Sequence, residues 1–553
     1  MPPMDIHPTA MSILLTSLVS WQVYKKFEPN SPAASFILLL VVPLCTLVYS
    51  DSLSILNTTL AIPLYWCLLL TFIILYRVSP FHPLSKYPGP LSCKVSKVWL
   101  AYIAARGDMH RYVKTLHERY GDVVRVGPNE LSFRRKDIIE PILSNKELHK
   151  GPYYDLRQVP ARNPVDGIKD YREHAARRRL WSRGTSVSMT KIYTQSLIVG
   201  IHELLDELLK RQDTTIDISE WLSFTATDFM GRMTFSTSFD MVKMGYDSVG
   251  IIKPVEEITY QSNIIAQTPW IIPYLMWLPQ GKKALNQGHR LGGDMVRKRK
   301  ALGTDTRDLY YYLMDEAGFE DVKPRETDVL SDGITAIAAG SDTTATAVTN
   351  TLYYLLKHPD VKTRLQRDIR EVFANSQEVS DYTKSVELPF LDACINESLR
   401  LLPPGLTGFQ RQVDPSGRGK MLGEHFVPPG TNVYAHLYSI QRDPRYFSPL
   451  PETFWPDRWL DQDTYTLPTG ENISKDGLIL SRDAYYPFSI GQQGCAGRNI
   501  ALLELRTLLI AILRDFDIQA AEGYRLDGYE EALKDVHVTL RGPLYVQLHP
   551  VAT

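Results

Sequence analysis

The stretch that decides the fold is FSIGQQGCAGRNIA, residues 488–501. It sets a single cysteine, Cys495, between Gly494 and Gly497, directly before a helical pattern over Asn499–Leu513. A thiolate at this place is stabilised by the unpaired N–H groups and the dipole of the helix N-terminus. The glycines let backbone and a flat cofactor approach closely. The pattern favours a single-thiolate metal ligand, and the alternative is an ordinary buried cysteine on a glycine-rich turn.

The rest of the composition narrows the class of protein. The chain has 553 residues, of which 44% are hydrophobic, and a formal net charge of −1. This is enough apolar material for one large domain or two ordinary ones. The balanced charge argues against a global nucleic-acid binder. The other four cysteines lie far apart with no CxxC pair, so neither a zinc site nor a disulfide framework is indicated.

Residues 1–77 predict a membrane anchor. There is no charged residue from Asn30 to Ser50 or from Ser52 to Tyr76, and about 20 apolar residues suffice to cross a bilayer as a helix. Thr9–Tyr24 is shorter and more polar, so we expect two or three transmembrane helices. A cleaved signal peptide is the alternative, but the apolar stretches extend too far and repeat.

The flanking charges predict an orientation. Lys25 and Lys26 follow the first stretch and Arg77 follows the last, and such residues prefer the cytosolic side. Three spans would put the N-terminus and the loop Asp51–Asn57 outside, and the large domain in the cytosol. Residues 78–90 carry four prolines, which cannot continue a helix and predict a stiff hinge.

From residue 91 to residue 553 the patterns predict a mainly helical domain with small β-sheets. Apolar residues at three- and four-residue spacing indicate helices over Lys191–Gln212 and Val361–Ala374. The predicted strands are short, and they cover Val123–Val126, Asn432–Ala435, Asp535–Leu540 and Leu544–His549.

A second segment, Ala339-Gly340-Ser341-Asp342-Thr343-Thr344, lies inside a long helical run from Thr327 to His358. Threonine can hydrogen-bond back to the helix ladder and bend it, so we expect a locally opened groove here. An acid followed by a hydroxyl, Asp342-Thr343, can pass protons to a bound molecule. The alternative is close helix packing through small residues.

Two further segments pair charged residues at helical spacing. Glu397 and Arg400 share one helix face, and FWPDRW at 454–459 follows with Arg458. His174 and Arg178 stand at i and i+4 in the arginine-rich segment 172–183. Taken alone, each pair is typical of a solvated helix surface.

These four segments, in their order along the chain, resemble the cytochrome P450 family. The spacing Phe-x-x-Gly-x-x-x-Cys-x-Gly-x-x-x-Ala from Phe488 is similar to the family's haem-binding loop, and 339–344 is similar to its oxygen-activation motif. The resemblance implies a cytochrome P450 fold behind the anchor. It implies haem b, iron protoporphyrin IX, with Cys495 as the axial iron ligand and Gly491 and Gly497 beside the cofactor.

The resemblance also assigns supporting roles. His174, Arg178 and Arg411 take the places of residues that contact the haem propionates, with Trp181 a weaker candidate at shifted spacing. Glu397, Arg400 and Arg458 take the places of a structural triad that holds the loop before the cysteine. The other arginines of 172–183 would form a solvated face or meet a redox partner. One position departs from the family, because Gln493 stands where Arg or His is usual.

The activity that this resemblance implies is monooxygenation. Asp342 and Thr343 would deliver protons, and electrons would come from NADPH through NADPH-cytochrome P450 reductase, since the chain has no glycine-rich dinucleotide motif. We expect an apolar small-molecule substrate, such as a terpenoid of secondary metabolism, and an endoplasmic reticulum location. The segment Ile264–Pro279 would either roof an apolar pocket or contact the membrane. The alternatives are a haem-thiolate isomerase or dehydratase without reductase, and a non-catalytic haem sensor.

Overall fold

The computed structural model describes residues 8–27, 31–50, 54–158, 163–279, 293–303, 306–373 and 387–551. Within these residues the chain is mainly helical with several small sheets, as the patterns predict. The α-helices are α1 Pro8–Phe27, α2 Pro32–Phe36, α3 Val42–Tyr49, α4 Ile55–Val78, α5 Leu91–Val95, α6 Val98–Arg106, α7 Met109–Tyr120, α8 Ile139–Leu143, α9 Tyr171–Gly184, α10 Val187–Leu209, α11 Ile218–Phe235, α12 Met241–Met244, α13 Ile252–Ala266, α14 Ile272–Trp277, α15 Leu309–Leu313, α16 Glu326–Lys357, α17 Pro359–Val372, α18 Pro389–Leu401, α19 Leu437–Ile440, α20 Arg498–Asp515 and α21 Asp527–Ala532.

The strands are short and mostly antiparallel. They are β1 Val123–Gly127, β2 Glu130–Phe133, β3 Leu148–Lys150, β4 Thr215–Asp217, β5 Arg411–Val413, β6 Lys420–Leu422, β7 His425–Val427, β8 Asn432–Ala435, β9 Phe447–Ser448, β10 Thr464–Thr466, β11 Asn472–Ser474, β12 Ile479–Leu480, β13 Phe516–Ala520, β14 Lys534–Val536, β15 Val538–Leu540 and β16 Tyr545–Pro550.

The largest sheet has five strands in the order β1-β2-β8-β5-β3, and only β2 and β8 run parallel. A second sheet has the order β13-β16-β4. The predicted single strand Asp535–Leu540 is wrong, because β14 and β15 form a tight antiparallel hairpin. His537 sits at its turn with a φ of 83°, a conformation that ends a strand.

Two of the N-terminal helical stretches are long and apolar enough to cross a membrane, Pro32–Tyr49 and Asn57–Val78. The first of these continues from α2 through a π-helical turn at Ile37–Val41 into α3. Helix α1 is more polar and packs along α4. Lys25 near its end lies 4.2 Å from the ring centroid of Tyr76. The predicted loop Asp51–Asn57 falls partly outside the described residues, which resume at residue 54.

The proline-rich segment docks on the first sheet. The backbone N–H of Arg125 in β1 donates to the carbonyl oxygen of Pro88 at 2.7 Å. A Cβ at Gly89 would lie 2.3 Å from the carbonyl oxygen of Arg125, so only glycine allows this approach. Arg77 at the end of α4 donates to the carbonyl oxygen of Val95 at 2.7 Å. These contacts fix the direction in which α4 leaves the domain.

The core is organised around α16, which runs 32 residues and packs closely against α11. A Cβ at Gly340 would lie 2.5 Å from the end of the flexible Met230 side chain of α11, so the two helices approach closely here. Helix α20 starts three residues after Cys495 and also packs against α16. The fold thereby brings the two most informative segments of the sequence together.

Candidate active site

The loop before Cys495 is held by its own backbone. The N–H of Cys495 donates to the carbonyl oxygen of Phe488 at 2.9 Å, and the N–H of Gly494 donates to Gly491 at 3.0 Å. Gly491 has a φ of 72°, and a Cβ there would lie 2.7 Å from Oγ of Ser144. Positive φ and close contact both require glycine at this turn. The loop therefore presents the cysteine in one defined position.

Cys495 lies in the loop directly before α20. It is accessible to solvent, yet protein surrounds it closely enough that burial raises the pKa of its thiol. The N–H of Gly497 and the charges of Arg178 and Arg498 oppose this rise in pKa. A thiol that coordinates a metal is deprotonated outright, and these three groups favour the thiolate. A Cβ at Gly497 would meet no atom within 4 Å.

On α16 the hydroxyl of Thr343 donates to the carbonyl oxygen of Ala339 at 2.6 Å. This is the back-bonding expected of a mid-helix threonine. The expected opening of the helix is not seen, because α16 is α-helical without interruption from Glu326 to Lys357. The hydroxyl bond of Thr343 to the i−4 carbonyl leaves the backbone ladder intact, and Gly340 packs on Met230 of α11.

Asp342 has a partner that sequence reasoning missed. Nη1 of Arg541, just after β15, lies 3.6 Å from Oδ1 of Asp342. The same guanidinium donates to Oγ1 of Thr346 at 2.6 Å and to the Ser223 hydroxyl. Burial raises the pKa of Asp342, and Arg541 opposes the rise. Asp342 is thus a largely buried carboxyl, 17% exposed, whose pKa depends on one arginine that follows a distant hairpin.

A largely apolar cleft approaches Asp342 between α11, α13 and α16. Its empty volume is about 620 Å³, part of it open to solvent. Its lining includes Glu256, and neither Thr343 nor Cys495 belongs to it. No lining residue comes from Ile264–Pro279, so this segment does not roof the cleft. Trp270 and Trp277 are exposed, and Tyr274 donates to Ser35 beside the apolar N-terminal helices.

Glu397 is the centre of a fully buried ion cluster. Its Oε1 accepts hydrogen bonds from Arg458 Nε at 2.9 Å and Arg400 Nη2 at 2.8 Å. Its Oε2 accepts from Arg400 Nε at 2.8 Å and from the indole of Trp459 at 2.9 Å. The N–H of Trp455 adds another bond at 3.1 Å. The cluster ties α18 to the segment 455–459, which leads towards the cysteine loop.

His174 lies within electrostatic reach of Arg178 and Arg411. Burial lowers the pKa of His174 to about 4, and nearby positive charges contribute to the shift. Those charges belong to Lys150, Arg178 and Arg411. Arg178 also lies close enough to Cys495 to affect its charge. Neither Arg178 nor Arg411 forms an ion pair with any described residue.

The remaining residues of α9 separate into two groups. Arg177 is buried, with Nη2 2.7 Å from Asp332 and Nη1 3.1 Å from Asp328. Trp181 donates to Asp332 at 3.1 Å. Its indole therefore links α9 to α16. The idea that Arg177 lies on a solvated face is therefore wrong. Arg179 and Arg183 pair with Glu320 at 3.0 and 2.7 Å.

These observations fit a cofactor that is flat, carries a metal and bears negative charge at its rim. The metal ligand would be one accessible cysteine in a glycine-rich loop. The rim contacts would be cationic groups that have no carboxylate partner among the described residues. The class of protein that the fold and site define is a haem-thiolate protein.

The comparisons with known proteins agree. The cytochrome P450 family model matches residues 86–538. Cytochrome P450 monooxygenase cpaH of Aspergillus oryzae is 30% identical over 520 residues, covering 91% of this chain and 96% of that protein. Cytochrome P450 monooxygenase phqL of Penicillium fellutanum is 28% identical over 548 residues, covering 97% and 89%. Tryprostatin B 6-hydroxylase of Aspergillus fumigatus is 29% identical over 487 residues, covering 87% and 82%.

The chain belongs to the cytochrome P450 family. It is accordingly an oxidoreductase of the monooxygenase type that binds haem iron.

Proposed function

We propose that this enzyme inserts one oxygen atom from O2 into an apolar small molecule of secondary metabolism, by hydroxylation or epoxidation. The observation that carries the proposal is the accessible Cys495 directly before α20, because α20 packs against α16, which bears Asp342 and Thr343. Similarity to fungal monooxygenases, one of them named a hydroxylase, supports the reaction type. Terpenoids are the substrate class we would screen first.

Cys495 would hold the iron of haem b. Haem bound through a thiolate would supply oxygen activation, because the thiolate donates electron density and favours O–O cleavage. Phe488, Gly491 and Gly497 would shape the loop against the cofactor face, and His174, Arg178 and Arg411 would bind its propionates. Charge-assisted hydrogen bonds of this kind are about twice as strong as neutral ones.

Asp342 and Thr343 would hold and relay protons for the reaction. The largely buried carboxyl of Asp342 can hold a proton because burial raises its pKa. Arg541 is a positioning residue, since its charge opposes that rise in the pKa. Thr343 carries its hydroxyl on the same turn of α16, where the i−4 bond fixes its rotamer. An isomerase or dehydratase needs no such acid and alcohol pair.

The first experiment is the absorption spectrum of the dithionite-reduced protein with carbon monoxide. A strongly red-shifted Soret band is expected for the wild type and for Cys67→Ala, which removes another exposed cysteine. Cys495→Ala should lose that band. A thiolate-type band that survives in Cys495→Ala would overturn the assignment of the iron ligand.

The second experiment separates a monooxygenase from the alternatives. NADPH-cytochrome P450 reductase would be added with NADPH and a panel of apolar substrates. Oxygenated product formed only with NADPH supports the proposal. Product formed without reductase would point to an isomerase or dehydratase, and haem binding with no turnover on any substrate would point to a sensor.

We propose that residues 1–77 anchor the enzyme in the endoplasmic reticulum membrane, with 78–90 as hinge and 91–553 as the cytosolic catalytic domain. Two apolar helices of sufficient length support this, as do exposed Trp270 and Trp277 on the side near Ser35. Carbonate extraction should leave the protein in the membrane pellet. Protease protection of an N-terminal tag would indicate three spans, and its digestion from the cytosolic side would indicate two.

A further inference from the structure

Lys150 is a buried lysine that the proposed chemistry has not used. It ends β3, and in the antiparallel pairing of β3 with β5 it stands directly opposite Arg411. Side chains at opposite positions lie on the same face of a sheet, and like charges there destabilise the pair. An arrangement that keeps two cations side by side in the interior needs an anion nearby.

One described carboxylate, that of Asp166, acts on Lys150, and the arginines Arg411, Arg157 and Arg178 oppose it. The side chain of Lys150 is buried, with the residue 5% exposed. Its Nζ donates to the carbonyl oxygen of Val165 at 3.3 Å and lies 5.7 Å from the ring centroid of Tyr154. It forms no ion pair with a described residue. The nearby carboxylate of Asp166 is already paired with Arg157.

Lys150 lies within electrostatic reach of Arg178, Arg411 and His174, which are the residues proposed to bind the haem propionates. The pKa of Lys150 is lowered to about 7 chiefly by burial; Asp166 opposes the shift, and Arg411, Arg157 and Arg178 contribute to it. Lys150 in turn contributes to the lowered pKa of His174. Buried charges without partners are costly. The two propionate carboxylates of a bound haem would pair with these cations and remove that cost.

Gln493 leaves the haem site without one positive charge, and a lysine would supply it. It lines a small cleft together with Arg411, at the position where the family usually has Arg or His. Its amide is neutral and cannot balance a carboxylate charge. Its Oε1 is buried without a hydrogen-bond partner in the described part of the chain.

We propose that Lys150 binds a haem propionate and supplies the positive charge that Gln493 does not. This inference rests on the proposed haem site. It assigns Lys150 as a binding residue for the cofactor and makes Lys150 and Gln493 a complementary pair. A charge introduced at residue 493 should therefore replace a charge removed at residue 150.

The test measures haem retention and needs no substrate. Full-length ferric holoprotein in detergent is mixed with excess apomyoglobin, and haem transfer is followed by absorbance. Lys150→Met should lose haem about tenfold faster or more, because a hydrogen bond to a charged group is worth at least that factor. Lys191→Met, an exposed lysine on α10, should lose haem at the wild-type rate.

The decisive variant is Lys150→Met combined with Gln493→Arg. Its rate of haem loss should be within about threefold of the wild-type rate. This difference is small compared with the tenfold faster loss expected for Lys150→Met. A purely structural role of Lys150 would not be rescued in this way. If Lys150→Met alone does not fold, the double variant should fold and hold haem, and its failure to do so would overturn the inference.

The outcomes for the two proposals are distinguishable. Wild-type haem retention in Lys150→Met, with a thiolate-type spectrum, would refute the role of Lys150 and leave the monooxygenase proposal standing. Absence of a thiolate-type spectrum in the wild type would refute both. Lys150→Arg, which keeps the charge, should retain haem far better than Lys150→Met.

Discussion

Replacing Glu397 by glutamine should destabilise the protein strongly. The carboxylate is fully buried and accepts hydrogen bonds from two arginines, an indole and a backbone N–H. Burial opposes its ionisation, but Arg400 and Arg458 outweigh burial and lower the pKa of Glu397 from 4.5 to about 2. Glutamine keeps the shape of the side chain and removes the negative charge.

The magnitude follows from two arguments. Breaking a buried ion pair by removing one partner costs about 3–5 kcal/mol, because the other charge stays buried. Each tenfold change in an acid dissociation constant is worth about 1.4 kcal/mol, so the lowered pKa corresponds to about 3 kcal/mol of preference for the carboxylate. We therefore expect Glu397→Gln to lower the free energy of unfolding by about 3 kcal/mol at pH 7.

Urea unfolding of the detergent-solubilised holoprotein measures this change, with the Soret band and tryptophan fluorescence as probes. The matched control is Glu531→Gln, which breaks the exposed pair with Arg525 and should cost less than about 1 kcal/mol. Equal shifts of the urea midpoint in the two variants would refute the assigned role of Glu397.

The lowered pKa of Glu397 also predicts how the stability of the folded protein depends on pH. Because the folded-state pKa of Glu397 is depressed, its contribution is fully present above pH 4.5 and is lost as the pH falls towards about 2. The wild type should therefore lose stability in that window more steeply than Glu397→Gln. Parallel pH profiles of the two proteins would contradict the depressed pKa.

Three further perturbations test the site. Thr343→Ala should keep haem but divert NADPH to peroxide, whereas Thr343→Ser should stay coupled; equal product per NADPH in Thr343→Ala would contradict proton delivery. Arg541→Leu removes the charge that opposes the raised pKa of Asp342, so any limb of the pH–rate profile set by Asp342 should move to higher pH, and an unmoved profile would exclude this coupling. Gly491→Ala should cost about 1–3 kcal/mol of folding or haem-binding free energy, because of its positive φ and its contact with Ser144; haem titration of the apoprotein checks this.

Contiguous motifs carried the information that the sequence alone could supply. The loop around Cys495, the segment Asp342-Thr343 and the spacing of Glu397 and Arg400 are all local. Their chemistry depends on residue type and on distances of a few positions, which helical geometry fixes. The mainly helical fold with small sheets also followed from periodicity, since long amphipathic runs are read reliably.

Tertiary packing decided what local patterns left open. Arg177 and Arg178 are identical neighbours, yet one pairs with Asp332 on α16 and the other lies near Cys495. Successive side chains on a helix point about 100° apart. Only the packing of α9 against the rest of the domain decides which of the two side chains points towards α16. Trp181 shares the direction of Arg177, which explains why it braces the helices.

Partners distant in the chain were beyond the reach of sequence reasoning for the same reason. Arg541 reaches Asp342 because the hairpin of β14 and β15 lies against α16, and Lys150 stands opposite Arg411 because β3 pairs with β5. Strand register and loop closure bring these residues together, and neither leaves a trace in spacing or residue type. The sequence by itself determined the kind of chemistry, whereas the tertiary structure decided which charged side chains surround it.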